Sequence, residues 1–70
     1  MPKLFSSRHI ILILEKNDFV KISQKGSHIK LFNRTHKLTV IVPANKREVP
    51  MGTFGSIVRQ SGLRKEDFEV

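Results

Sequence analysis

Cysteine is absent from the 70 residues, so neither a disulfide nor a thiolate metal site braces so small a chain. That absence fits a reducing compartment. Long apolar runs are missing too, since nothing approaches the roughly 18 residues of a membrane span. The run Ile10 to Leu14 is shorter than the roughly 7–15-residue core of a secretory signal, and no small-residue cleavage site follows it. The expectation is a soluble, cytoplasmic protein with no membrane partner. There are no internal repeats, no linker and no low-complexity stretch, so residues 1–70 read as a single domain. A domain of this length is near the lower limit of what one hydrophobic core stabilises alone. Acidic residues are scarce: six Asp and Glu face thirteen Lys and Arg, for a net charge of +7.

A pI near 10.4 points to a polyanionic partner, most often nucleic acid, because cations that neutralise phosphates release condensed counterions. The basic residues are scattered rather than gathered on an amphipathic helix, which argues against a membrane surface.

Ser6 or Ser7 is positioned to cap a helix running to about Asn17, its hydroxyl accepting a free amide of the first turn. Ile10, Ile11, Ile13 and Leu14 recur at three- and four-residue spacing and predict the buried stripe, with Leu12 left on the surface. Asn17-Asp18 then breaks the chain. Phe19-Val20-Lys21-Ile22-Ser23 and Ile29-Lys30-Leu31 alternate apolar and polar on either side of Lys25-Gly26-Ser27-His28, the pattern of a β-hairpin. A second turn at Asn33-Arg34-Thr35-His36 leads to Leu38–Val42, which Pro43 ends because it cannot donate to a sheet. Ala44 to Gly52 reads as irregular, with Lys46 and Arg47 exposed. Thr53 is the expected cap of a second helix whose buried stripe is Phe54, Ile57 and Val58. Gly62 supplies its left-handed stop, Leu63 folds back on its end, and Lys65–Phe68 forms a last turn anchored by Phe68. The fold class is therefore α+β in the order α-β-β-β-α, a three-stranded antiparallel sheet with both helices on one face. Val20, Ile22, Ile29, Leu31, Val40 and Val42 are expected beneath the helices. This order matches a double-stranded-RNA-binding-like sandwich.

The chemistry gathers at the first turn. If Ile29 and Leu31 face the helices, period two sends His28, Lys30 and Phe32 to the open face. An imidazole exchanges protons near neutral pH, its unperturbed pKa being about 6.5. Lys25, Ser27 and Lys30 are candidate phosphate contacts, Gly26 allows close approach of backbone to a ligand, and Phe32 is a candidate base-stacking ring. His9 reads as a solvated helix residue and His36 as a turn residue. Three scattered histidines make a poor zinc site, no carboxylate cluster stands beside the turn, and no Gly-rich phosphate loop occurs, so no metal or cofactor is expected.

Taken in order, the chain resembles the HicA family of toxin ribonucleases. The resemblance rests on Leu14-Glu15-Lys16-Asn17-Asp18-Phe19, Gln24-Lys25-Gly26-Ser27-His28, Val40-Ile41-Val42-Pro43, Gly52-Thr53-Phe54 and Ile57-Val58-Arg59-Gln60-Ser61-Gly62-Leu63. It extends from Ser7 to Phe68. It implies a double-stranded-RNA-binding-like fold, messenger-RNA cleavage that arrests translation, a catalytic role for His28, and a HicB-like antitoxin covering the His28 face. Two positions depart from the family pattern. Asp18 stands where Gly is frequent, and Asn45 stands where many relatives carry a second histidine, so a second proton-transfer group is not evident. The implied reaction needs no metal: His28 handles the proton, with Lys25, Lys30 and Ser27 at the phosphate and Lys46 and Arg47 as further RNA contacts. A non-catalytic RNA-binding module and a basic protein that meets an acidic partner are the rival readings.

Overall fold

The computed structural model describes residues 4–69. Helix α1 (Ser7–Lys16) starts at Ser6, whose hydroxyl accepts from the His9 amide at 3.1 Å. Three strands follow, β1 (Phe19–Lys25), β2 (His28–Asn33) and β3 (Leu38–Pro43), then helix α2 (Met51–Ser61) and a short 3₁₀ turn, Lys65–Phe68. The strands form an antiparallel meander in the order β1-β2-β3. The α-β-β-β-α order and open sheet agree with the α+β, double-stranded-RNA-binding-like expectation.

Ile10, Ile13 and Leu14 of α1 and Phe54 and Ile57 of α2 are buried with Ile29, Leu31, Val40 and Val42, so both helices share one sheet face. Phe68 is fully buried and meets Phe54 edge-on at 5.3 Å, which pins the chain's last turn to α2. Ile11 is only partly buried beside this core, and Leu12 is half exposed.

Val20 and Ile22 correct the sequence-based expectation: they are 58% and 53% exposed rather than core. In an antiparallel pair, residues directly opposite one another share a face. Val20 pairs with Phe32 and Lys21 with Leu31, so Val20 lies on the open side and Phe19 enters the core instead. The register then shifts between Lys21 and Ser23, leaving Ile22 without a cross-strand partner in a bulge. The helices do not cover the rest of this edge strand: every residue of β1 after Phe19 is exposed.

Three smaller corrections follow. Helix α2 begins at Met51 with Pro50 as its cap residue, and the amide of Phe54 donates to the Pro50 carbonyl at 2.9 Å. Thr53 is therefore an exposed residue of the first turn; a proline ahead of a helix has no amide to leave unpaired. His9 is not simply solvated. It stacks on Phe5 at 4.8 Å, and its Nε2 lies 2.7 Å from the Phe68 carbonyl, to which a ring N–H donates. Asn33 is a buried strand residue, not a turn residue: its Nδ2 donates to the Asn17 carbonyl and its Oδ1 accepts from the His36 amide. It thus ties the α1–β1 junction to the β2–β3 turn.

The outer edge of β3 is partly paired. The Ile41 amide donates to Gln60 Oε1 at 3.1 Å, Pro43 has no amide, and the Pro43 carbonyl accepts from the buried Ser7 hydroxyl. Pairing the edge in this way protects it from strand addition.

Candidate nucleic-acid interface

The β1–β2 turn is built to be tight. Lys25 pairs with His28 across a two-residue loop, Gly26-Ser27, and Gly26 has a φ of 56°. A positive φ at the first loop residue and not the second is the pattern of a type II′ turn, whose twist suits a hairpin and whose first position favours glycine. The imidazole of His28 consequently stands at the first position of β2, exposed, on the side opposite Ile29.

Register arranges the open face in rungs. Lys25, His28 and Pro43 form the first; Ser23, Lys30 and Ile41 the next; Val20, Phe32 and Thr39 the far one. Ser23, Lys25, His28, Lys30 and Ile41 line one shallow depression. An imidazole, two ammonium groups and a hydroxyl thus share an uncovered surface, and no helix lies over it.

Phe32 stands four residues from His28 along β2, on the order of 13 Å at the usual rise per residue. It is half-buried between its cross-strand neighbours Val20 and Thr39. The structure therefore places it on the expected face but away from the His28 end.

Lys46 and Arg47 are brought to the His28 end by a second element. The Ala44 amide donates to the Ser27 carbonyl at 2.6 Å, joining the β3–α2 loop to the hairpin turn. Ser7 fastens the same loop. Its hydroxyl donates to the Pro43 carbonyl and accepts from the Lys46 amide at 3.0 Å, and its own amide donates to the Lys46 carbonyl at 2.9 Å. Asn45, between these ties, adopts φ 59°, which Asn tolerates better than most residues. Both cations are exposed, but they line a groove on the helix side of the sheet with Arg8, not the open depression. The six cationic, hydroxyl and histidine positions expected from sequence thus converge on one end of the molecule, from two sides of it.

Two residues at this end escaped the sequence reading. Ser7 looked like one of two alternative helix caps; only its contacts with residues 36 to 39 positions away show that it holds the loop. Glu48, exposed on the same loop, puts a carboxylate at this end. Among the described residues, no three His, Cys, Asp or Glu side chains gather as metal ligands would, and no helix is long and apolar enough to cross a membrane.

An open, basic sheet face backed by two helices defines the class: a small α+β sandwich of the double-stranded-RNA-binding-like kind. Residues 7–63 match the family model described as HicA toxin of bacterial toxin-antitoxin, and the chain belongs to that family. It is accordingly the toxin component of a toxin–antitoxin pair. No curated protein matched it in a direct sequence comparison.

Proposed function

We propose that this toxin is an endoribonuclease that cuts messenger RNA without a metal ion and so arrests translation. The observation that carries the reading is the exposed His28 imidazole on the uncovered face, with Lys25 on its own rung and Lys30 on the next. Membership of a toxin family supports it further.

The reaction that suits one imidazole and several cations is in-line attack by the ribose 2′-hydroxyl. A bond forms from O2′ to phosphorus and the bond from phosphorus to O5′ breaks. His28 takes the proton from O2′ or gives one to O5′, and solvent water serves the other of these two transfers. Lys25, Lys30 and the Ser27 hydroxyl meet the charge that builds on the non-bridging oxygens. Asn45 donates an amide hydrogen to a phosphate oxygen but moves no proton. Gly26 permits the backbone of the turn to approach the strand closely. Lys46 and Arg47 hold neighbouring phosphates as the strand rounds the end of the sheet, and Phe32 stacks a base further along the open face. The partner is a HicB-like antitoxin that denies RNA the His28 face, and the toxin acts in the cytoplasm.

The test is the chemistry of the cut ends. Purified protein incubated with RNA in excess EDTA is expected to cleave, leaving 2′,3′-cyclic phosphate or 3′-phosphate on one fragment and 5′-hydroxyl on the other. RNA carrying 2′-O-methyl groups is expected to resist. Products with 5′-phosphate, or activity that EDTA abolishes, would overturn the mechanism.

A further inference from the structure

Helix α1 has a second stripe besides the one it buries. Arg8, Ile11, Leu12 and Glu15 fall at i, i+3, i+4 and i+7 and therefore share a face. That face lines a groove of about 750 Å³ closed on its other side by Asn45, Lys46 and Arg47. Ile11, Leu12 and Ile29 give it an aliphatic floor, and at its rim the cations Arg8, Lys46 and Arg47 outnumber the one acid, Glu15. Leu12 is 50% exposed there. Its exposed half is apolar surface that the core does not use, and it adjoins the aliphatic side chains of Ile11 and Ile29 in the groove.

We infer that this groove is the anchoring site for an acidic, amphipathic segment of the antitoxin; the inference rests on the toxin–antitoxin reading. Two observations favour a protein segment over RNA. The floor is aliphatic and offers no aromatic ring for a base to stack on, which is how single-stranded RNA gains affinity beyond its phosphates. The rim and floor together suit an amphipathic segment that lays apolar side chains into a groove and pairs its acids at the edge. Location then explains inhibition. Ile29, in the floor, follows His28 in β2, so the groove and the His28 face lie on opposite sides of the same strand end. Asn45 to Arg47 form the corner between them. A segment seated in the groove takes Lys46 and Arg47 from RNA and directs the rest of its chain around that corner to His28. The apolar floor sets how long the partner stays, while the cations set how quickly it arrives.

The experiment compares wild type with Leu12→Glu and Arg8→Glu, each checked by its far-UV spectrum and thermal midpoint. Each is titrated with the purified antitoxin encoded beside it and, separately, with an uncleavable 2′-O-methyl RNA. Both variants are expected to bind antitoxin at least tenfold more weakly and to need correspondingly more of it for inhibition. Leu12→Glu is expected to cleave RNA as wild type does. Equal antitoxin affinity for wild type and both folded variants would overturn the groove while leaving the partner reading intact. Variants that lose RNA affinity but keep antitoxin affinity would make the groove an RNA site and overturn the inference. A wild type that binds no antitoxin would instead sink the partner reading, and the groove assignment with it.

Discussion

His28 is removable without disturbing the core, because its side chain is exposed on the uncovered face and is not part of the buried cluster. His28→Ala is expected to lower cleavage by at least the roughly 10²–10⁴-fold that positioned acid–base groups contribute. Its stability should stay within the small range of surface substitutions, about ±0.5 kcal/mol, which moves the thermal midpoint by no more than about 4 °C. Near wild-type cleavage would take His28 out of the mechanism, and a collapsed fold would make it structural. Ser7 should behave in the opposite way. Its hydroxyl is buried and satisfies two backbone groups of the loop, so Ser7→Ala leaves the Pro43 carbonyl and Lys46 amide short of a partner. We expect a loss of about 1–3 kcal/mol in chemical denaturation. A rise in KM larger than any fall in kcat should accompany it, since the loop holds Lys46 and Arg47 but not His28. Unchanged KM in the folded variant would mean that these cations are not substrate contacts. The two residues also differ in legibility. His28 could be singled out from its immediate neighbours, whereas Ser7 and His9 owe their roles to partners far away in the chain, Pro43 and Phe68. Local patterns hold no record of such contacts.

Elements were legible where a local rule acts alone. The turns at Gly26 and Gly62, the strands of β2 and β3 and the anchoring of Phe68 all follow from spacing and backbone chemistry. In β1 the alternation was real but its phase was ambiguous, because Phe19, Val20 and Ile22 are all apolar and only the register against Leu31 and Phe32 decides which faces in. The start of α2 departs from expectation for a related reason: Gly52 reads as a breaker, yet it is tolerated in an exposed first turn. The two turn glycines make a further prediction. Gly26 and Gly62 both have positive φ, 56° and 71°; in the left-handed helical conformation of Gly62 an L side chain is strained by about 1–2 kcal/mol, and the first position of a type II′ turn favours glycine more strongly still. A Cβ at Gly26 would meet nothing within 4 Å, but at Gly62 it would come within 3.1 Å of Leu38 Cδ1. Gly62→Ala and Gly26→Ala should therefore both lower the melting temperature, each kcal/mol being worth roughly 4–8 °C in a domain this small. An unchanged melting temperature for either variant would mean that its positive φ places no demand for glycine.

At the scale of the whole molecule the net charge of +7 announces a polyanion, but composition cannot say where the cations stand. The fold decides that, by joining the Ala44 amide to the Ser27 carbonyl and so bringing the loop of Lys46 and Arg47 up to the hairpin of Lys25 and His28. Charge gathered at one end has a measurable consequence. Each phosphate neutralised on a single strand contributes about −0.7 to the slope of log K against log salt. If Lys25, Lys30, Lys46 and Arg47 each hold one phosphate, uncleavable 2′-O-methyl RNA should bind with a slope near −3, by the same reckoning. Removing Lys46 alone should make that slope shallower by about 0.7 and weaken binding most at low salt. An exposed cation that holds no phosphate, such as Lys65 on the last turn, gives the control: its substitution should leave the slope unchanged. If Lys46→Ala and Lys65→Ala shift the slope equally, RNA is responding to the overall charge of the protein. A track of phosphates running from the open face around the end of the sheet would then be ruled out.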